Sequence, residues 1–195
     1  MVSRKCREEL RRERQQGMKR YEKQRRRNVM AEPGSHPFVV VLDHLKAGFN
    51  VPKIFRTAQA FGAHAVHLID IGPFDPAPAK GAFRKVPARF YPSFEESYQQ
   101  LREEGYTLFT LEAGCGQLLH EVELPARSAF ILGHEERGIS FERADYPGVE
   151  CLSIPMSGEV ESLNVSVAAS IVMYEYCRQH PAKGVEGDSD VEGGE

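Results

Sequence analysis

Residues 151–178 read CLSIPMSGEVESLNVSVAASIVMYEYCR and divide into three parts. Cys151–Ile154 predicts a short strand, residues 155–161 an irregular polar loop, and the remainder a long helix. Ser162 and Asn164 stand at the entrance of this helix. Their side-chain oxygens, together with unpaired backbone N–H groups, can either cap the helix or contact a ligand.

The predicted final helix is apolar on two sides. Its stripes consist of Val165, Ala168, Ala169, Val172 and Tyr176 on one side and of Val167, Ile171 and Tyr174 on the other. A helix that is apolar on more than one side is usually buried or shared between subunits. The sequence leaves both possibilities open.

Four more segments are short and apolar enough to predict strands. They are Phe38–Leu42, Ala65–Ile69, Tyr106–Leu111 and Ala129–Leu132. Helices are predicted over residues 51–61, with Asn50 as the N-cap, and over Ser93–Glu104, with Gly105 as the stop. Strands that alternate with helices indicate an α/β domain with a mainly parallel sheet and helices on both faces.

Ligands of such a sheet bind in the loops at the carboxyl ends of its strands. Three polar loops follow predicted strands here, at residues 43–56, 133–140 and 155–164. We therefore expect these loops to converge on one site. His64 and His67 are a weaker candidate, because residues three apart on a strand point to opposite faces and make a poor metal pair.

The 195-residue chain has a net charge of −3, which conceals a strongly basic start. Residues 4–27 hold twelve Lys or Arg against four Glu. Such a terminal block is typical of arms that bind nucleic acid, although a solvated helix of poor intrinsic order has the same composition. Its few apolar residues (Leu10, Met18 and Tyr21) predict that it does not pack tightly by itself.

Composition divides the chain into a basic extension (1–32), one domain (33–180) and an acidic, disordered tail (181–195). The four cysteines are far apart in sequence and form no C-x-x-C pair, which favours a reduced, cytoplasmic protein. We expect no membrane span and no secretory signal, because the chain has no long apolar run.

Three motifs together resemble a known family. They are NVPKIFRT at 50–57, GHEERGIS at 133–140, and IPM at 154–156 followed by SLNVSVAA at 162–169. In this order they look like the signature motifs of the SpoU/TrmH-type RNA ribose 2′-O-methyltransferases of the SPOUT superfamily, over roughly residues 36–178. The resemblance implies a deep trefoil knot formed by the last helix, and a homodimer whose active site draws on both subunits.

The resemblance also assigns catalytic roles to Arg56, Asn50, Glu135, Ser162 and Asn164. Arg56, otherwise a solvated or salt-bridged helical residue, acts on the target 2′-hydroxyl. A guanidinium is effectively always protonated, so we interpret it as a cation that holds phosphate and favours the developing alkoxide, not as a base. Glu135, otherwise an ordinary acidic turn residue, organises the cofactor loop or the catalytic Asn.

The implied cofactor is S-adenosylmethionine. Its adenosine is expected to meet main-chain or apolar groups of Leu111, Gly133, Gly138, Ile154 and Leu163. The sulfonium is already an activated methyl donor, so we expect no metal. RNA phosphates are expected to bind the basic arm, through Arg11, Arg12, Lys19, Arg20, Arg25, Arg26 and Arg27.

The predicted reaction is methyl transfer to a ribose 2′-oxygen of RNA, driven by alignment and electrostatic stabilisation. A tRNA is the favoured substrate, because the chain shows no separate RNA-binding domain of the kind found in many rRNA-directed relatives. Ribosomal RNA is the alternative substrate. A non-catalytic RNA-binding protein that retained the fold is a rival of a different class.

Overall fold

The computed structural model of the protein describes residues 4–115 and 117–182. Within these residues, seven strands form one sheet in the spatial order β3-β2-β1-β6-β4-β7-β5, and all neighbouring strands are parallel. The strands are β1 (Val39–Asp43), β2 (Ala65–Ile69), β3 (Ala88–Tyr91), β4 (Thr107–Leu111), β5 (Gln117–Leu118), β6 (Ser128–Leu132) and β7 (Val149–Ser153). The predicted α/β class and mainly parallel sheet are confirmed.

The α-helices of the described residues lie on both faces of this sheet. They are α1 (Arg4–Asn28), α2 (Asn50–Ala60), α3 (Phe94–Glu103) and α4 (Val165–Gln179). One hydrophobic cluster joins α1, α2 and α4 to the first face, and a second joins α3 to the other face. Short 3₁₀ turns at residues 77–79, 82–84, 119–121 and 143–145 complete the described helices.

The central strands are apolar on both faces because both faces are covered. Every residue of β1, β2 and β6 is buried. Along β1, Val40 and Leu42 enter the cluster with α2 and α4, whereas Val39 and Val41 enter the cluster with α3. Full burial of such a side chain contributes about 1.5–3 kcal/mol, so the two clusters fix the strand register.

The five predicted strands are present, with ends that differ by at most two residues. Two more were missed: β3, whose residues are all half-buried at the sheet edge, and β5, which has only two residues. The prediction that Asn50 is an N-cap was wrong. Phe49 takes that position, because the Asn50 side chain points to Glu135 instead of to its own helix.

Asn164 is the N-cap of α4, where its Oδ1 accepts a hydrogen bond of 2.9 Å from the backbone N–H of Ser166. The two apolar stripes of α4 differ in burial. Val165, Ala169, Val172 and Tyr176 belong to the core. On the second stripe, Val167 is 46% exposed and Tyr174 is 60% exposed, so ordinary burial explains only the first stripe.

The arm forms the helix α1, and its C-terminal half packs against the domain. Tyr21 is buried and stacks on Phe83 at a ring separation of 5.7 Å. Arg20 forms a two-point ion pair with Asp75, and the buried Asn28 donates to the carbonyl of Phe83. The expectation of loose packing therefore holds only for residues 6–16, whose side chains are exposed.

The expectation of four reduced thiols was wrong for one pair. Cys115 and Cys151 form a disulfide with a Cα separation of 6.2 Å. The two cysteines are far apart in sequence but close in space, because β4 and β7 are neighbouring strands and Thr110 lies directly beside Cys151. The loop that follows β4 then brings Cys115 next to Cys151.

The acidic tail predicted from residue 181 onward lies outside the described residues, apart from Pro181 and Ala182. Among the described residues, none of the helices combines the length and the apolar character that a membrane crossing requires.

Candidate active site

The three polar loops meet at the carboxyl edge of the sheet, as predicted. Asn50 Nδ2, in the first turn of α2, donates a hydrogen bond of 2.8 Å to Oε1 of Glu135 in the loop after β6. Asn164 Nδ2, at the start of α4, donates to Asn50 Oδ1 at 3.3 Å. Three residues from three separate motifs thus form one continuous hydrogen-bond network.

The loop that carries Glu135 is a narrow turn that requires two glycines. His134 and Gly138 exchange two backbone hydrogen bonds of 2.8 and 2.9 Å. A Cβ on Gly133 would lie 2.4 Å from the backbone carbon of Gly138, which no side chain tolerates. Gly138 itself has a φ of 71°, in the left-handed region that favours glycine. The turn consequently presents Glu135 at the rim of the site.

A buried carboxylate ties this loop to β1. Asp43 is fully buried and accepts hydrogen bonds from the backbone N–H of Ser140 at 2.6 Å and from its hydroxyl at 2.8 Å. His44 Nδ1 pairs with the same carboxylate at 2.8 Å. Sequence reasoning missed this role, although a charged residue at the end of an apolar strand was a usable signal.

Hydrogen bonds hold Glu135 in its ionised form. Partial burial alone would raise the pKa of its carboxyl, but the hydrogen bond from Asn50 and those from the backbone N–H groups of Glu135 and Lys46 lower it below the ordinary value. The neighbouring Glu136 has a lowered pKa because Lys46 donates to it at 2.6 Å. Glu135 is therefore an orienting acceptor at neutral pH and not a proton donor.

A pocket of about 560 Å³ opens beside this network, within the size range of nucleoside-like ligands. Its wall combines the polar Glu135, Ser162 and Asn164 with apolar or main-chain surface from Leu111, Gly133, Gly138 and Leu163. Ile154 lines an adjoining cleft of about 90 Å³ that shares Leu111, Ser162 and Leu163 with the pocket. All five residues predicted to contact the cofactor thus lie around one connected space.

Sequence reasoning left some lining residues without a role. Glu112 and Ala113 follow β4 directly and line both spaces, while Met156 lines the smaller one. Position was the available signal for all three, since Glu112 and Ala113 directly follow β4 and Met156 lies in the loop after β7. Glu112 also faces Arg143, with 3.4 Å between their nearest charged atoms.

Arg56 is not part of this pocket within one chain. It is exposed on the outer side of α2 and lines a different hollow, beside Ser166 and Ser170 of α4. A single chain thus brings together Asn50, Glu135, Ser162 and Asn164, and leaves Arg56 outside.

Of the seven basic arm residues proposed for RNA contact, six are exposed on α1 and Arg20 is half-buried against Asp75. The guanidinium of Arg25 lies 4.4 Å from the ring centre of Phe90, where the aromatic face attracts a cation. The contact with Phe90 restricts the position of the Arg25 side chain but does not bury it, because Arg25 stays exposed to solvent.

The residues present fit a bound S-adenosylmethionine. Apolar side chains of Leu111, Ile154 and Leu163 can cover the faces of an adenine, and the glycine turn at residues 133–138 exposes main-chain groups to it. The rim amides and carboxylate can orient the polar groups of a second substrate. The pocket therefore combines a nucleoside-sized apolar space with a fixed polar edge.

Comparisons with known proteins point to one family. The model of the SpoU rRNA Methylase family matches residues 37–174. The chain is 34% identical to the 23S rRNA (guanosine-2′-O-)-methyltransferase RlmB of Nitrosomonas europaea, over 76% of this chain and 59% of that protein. It is 33% identical to the tRNA (guanosine(18)-2′-O)-methyltransferase of Thermus thermophilus, over 75% of this chain and 77% of that protein.

A solved structure agrees with these relatives. The SpoU methyltransferase AviRb of Streptomyces viridochromogenes, crystallised with its cofactor AdoMet, superposes with a TM-score of 0.65 at 25% identity, over 75% of this chain and 58% of that one. The chain spans less than two thirds of the length of several relatives that it matches. The family match covers every strand and reaches into α4, and the chain therefore belongs to the SpoU rRNA methylase family.

Proposed function

We propose that the protein is an S-adenosylmethionine-dependent RNA methyltransferase that acts on a ribose 2′-hydroxyl. The observation that carries this proposal is the Asn50–Glu135–Asn164 network at the rim of a nucleoside-sized pocket. Family membership supports the cofactor and the reaction type. A non-catalytic RNA-binding protein would have no need of a carboxylate and two amides held in this arrangement.

The pocket residues of this chain would bind and orient the cofactor. Leu111, Ile154 and Leu163 cover the adenosine, and the 133–138 turn supplies main-chain contacts. When bound, the cofactor supplies a methyl group that is already activated by the sulfonium. Ser162 and Asn164 then position the ribose, while Glu135 fixes the amide of Asn50. Alignment of this kind lowers the barrier without a strong base, and the 2′-hydroxyl proton passes to solvent water as the oxygen is methylated.

Arg56 would complete the site of a partner subunit. Its guanidinium stays protonated, so it holds the phosphate and stabilises the developing alkoxide. Because Arg56 lies outside the pocket of its own chain, a homodimer that shares sites explains its placement. Exposed apolar residues could supply contact surface for a second copy, and Val167 among them lines the same hollow as Arg56: Phe49, Val160, Val167 and Tyr174.

We infer that the carboxyl half also contains the deep trefoil knot of the superfamily. The sheet order supports it, since β6, β4 and β7 interleave in space and α4 returns to pack against α2 and β6. We also place the protein in the cytoplasm, where its RNA substrates reside. A disulfide between Cys115 and Cys151 would be open to reduction there.

The proposed substrate is a tRNA, contacted by the basic helix α1. Six of the seven Arg and Lys side chains proposed for RNA contact are exposed on this helix, which supports phosphate binding, and the Thermus thermophilus relative is named as a tRNA enzyme. Ribosomal RNA is the second candidate, favoured by the similarity to the 23S rRNA enzyme of Nitrosomonas europaea.

Two measurements test the proposal. Calorimetry with S-adenosylmethionine is expected to show one binding site per chain, and labelled methyl groups are expected to appear on a ribose of tRNA. Mapping of the modified nucleoside in parallel incubations with tRNA and rRNA decides between the two substrates. Absence of both cofactor binding and transfer would reject the enzyme and leave the RNA-binding protein.

A further inference from the structure

A hollow of about 480 Å³ lies between α2, α4 and the loop 73–87. Three cationic side chains line it, namely Lys53, Arg56 and Lys80, and its lining includes no acidic residue. All three are exposed. Within residues 4–115 and 117–182, none of them forms an ion pair. A concave surface lined by three unneutralised cations attracts anions, because the charges reinforce one another there.

Hydroxyl groups connect this hollow to the candidate active site. Ser166 and Ser170 of α4 line it together with Thr57 of α2. The Ser166 hydroxyl donates a hydrogen bond of 2.6 Å to Oδ1 of Asn164, which lines the cofactor pocket. The hollow thus lies one side-chain hydrogen bond away from Asn164 of its own chain, while the Arg56 within it would serve the pocket of a partner subunit.

Lys80 is held in place by the fold. Its backbone has a φ of 50° and that of Gly81 a φ of 89°, so two successive residues are left-handed. Non-glycine residues in this region are costly and cluster at binding sites. The surrounding loop is rigid, because Phe74 and Phe83 pack on Phe55 of α2 at ring separations of 6.0 and 5.0 Å.

We propose that Lys53 and Lys80 form a phosphate-binding subsite, beside Arg56, for the RNA backbone next to the target ribose. The proposal rests on the proposed methyltransferase function and assigns two positioning residues to it. The same loop also carries the Asp75 that pairs with Arg20 of α1. The subsite and the basic helix α1 therefore contact the same loop.

The test compares charge-removing variants of the full-length protein. Lys53→Gln and Lys80→Gln are each expected to raise the KM for RNA roughly fivefold, and to lower the slope of log affinity against log salt by about 0.7 for a single-stranded target. The value of kcat and the affinity for S-adenosylmethionine should stay within twofold of wild type. The Tm should stay within about 1 °C of wild type. Lys53→Arg and Lys80→Arg should restore the KM.

Arg102→Gln is the matched control, because Arg102 is an exposed cation on α3, across the sheet. Equal effects of all three Gln variants on KM and salt slope would overturn the subsite. So would a change in cofactor affinity larger than the change in KM for RNA, since the lysines would then face the cofactor carboxylate. Failure of the wild-type protein to transfer methyl groups would instead reject the proposed function.

Discussion

Asn50 and Glu135 are joined by a hydrogen bond of 2.8 Å across a separation of 85 residues. The bond links the start of α2 to the turn after β6, and Asn164 extends it to the start of α4. The network is solvent-accessible, so its contribution to the stability of the fold is small. Its main effect is to fix the relative positions of the side chains at the rim of the pocket.

Asn50→Ala removes the donor to Glu135 and the acceptor for Asn164 in one step. We expect kcat for RNA methylation to fall at least tenfold, while the free energy of unfolding changes by about 1 kcal/mol or less. Single-turnover methyl transfer and urea denaturation measure the two quantities. Gln59→Ala, an exposed position on the same helix, is the control. Unchanged kcat in Asn50→Ala would remove this residue from the mechanism.

Asp43→Asn tests the anchor beneath the site. Asp43 accepts from the backbone N–H of Ser140 on Oδ2, and its Oδ1 meets the Ser140 hydroxyl and His44 Nδ1. An amide keeps only one oxygen for these three partners, so at least one present hydrogen bond is lost or reversed. Because the group is fully buried, we expect a loss of about 1–3 kcal/mol in the free energy of unfolding. Ser140→Ala, which removes only the hydroxyl, should cost less. Equal stability of Asp43→Asn and wild type in urea would show that the anchor is dispensable.

The motifs predicted most of this site, since each one places its polar residue after a parallel strand and parallel strands end at one edge. The motifs could not predict the distances between these side chains or their hydrogen-bond partners. The local pattern predicted Asn50 as a helix cap, and the resemblance left open whether Glu135 organises the cofactor loop or the catalytic Asn. In the folded chain, the Asn50 amide donates to Glu135 and does not cap its own helix. Likewise, Arg56 belongs to the first motif but faces another hollow, because the helix turns it away from the pocket.

The errors in the fold have a common cause. β3 and β5 lie at the two edges of the sheet, where half-buried or very short segments carry little hydrophobic pattern. The Cys115–Cys151 pair and the docking of α1 through Tyr21 both depend on neighbours that are distant in sequence. The hydrophobic pattern of a short segment cannot predict contacts between residues that are distant in sequence.

His67 should make stability depend on pH. It is fully buried and packs against Tyr91, and burial lowers its pKa from 6.5 to about 3. Below pH 6.5 the unfolded chain binds a proton that the folded chain does not, so stability falls as pH drops from 6.5 toward 3. Between pH 7 and 5 this group removes about 2 kcal/mol.

Urea denaturation at pH 7, 6 and 5 measures this loss, and His67→Leu should flatten the dependence. His180→Gln serves as the control, because His180 is partly exposed at the end of α4. A wild-type stability that is constant between pH 7 and 5 would contradict the prediction.

The Cys115–Cys151 disulfide closes a loop with a sequence separation of 36 residues. Chain-entropy arguments give such a cross-link a stabilisation of at most about 4 kcal/mol. The cross-linked loop follows Leu111, Glu112 and Ala113, which line the pocket. Peptide mapping without reductant should recover the linked pair, and Cys115→Ser should lower the Tm. A map that shows only the two separate thiols even after air oxidation of the folded protein would contradict the disulfide.

A shared active site predicts that two inactive variants can complement each other. Arg56→Ala keeps the pocket and loses the guanidinium, whereas Leu163→Glu places a charge in the pocket and keeps Arg56. Each homodimer should be inactive. In a mixed dimer, the pocket of one chain meets Arg56 of the other, so one of the two sites is intact.

Random exchange of subunits makes half of the dimers mixed, which gives about a quarter of the wild-type activity. Labelled methyl transfer after co-refolding or co-expression measures this recovery. Co-expression of Leu163→Glu with a second pocket variant, Ser162→Ala combined with Asn164→Ala, is the control and should recover nothing, because every pocket remains damaged. If Arg56→Ala and Leu163→Glu also recovered nothing while forming mixed dimers, Arg56 would have to serve the pocket of its own chain. The hollow that it lines beside Ser166 would then be a resting position, left when RNA binds.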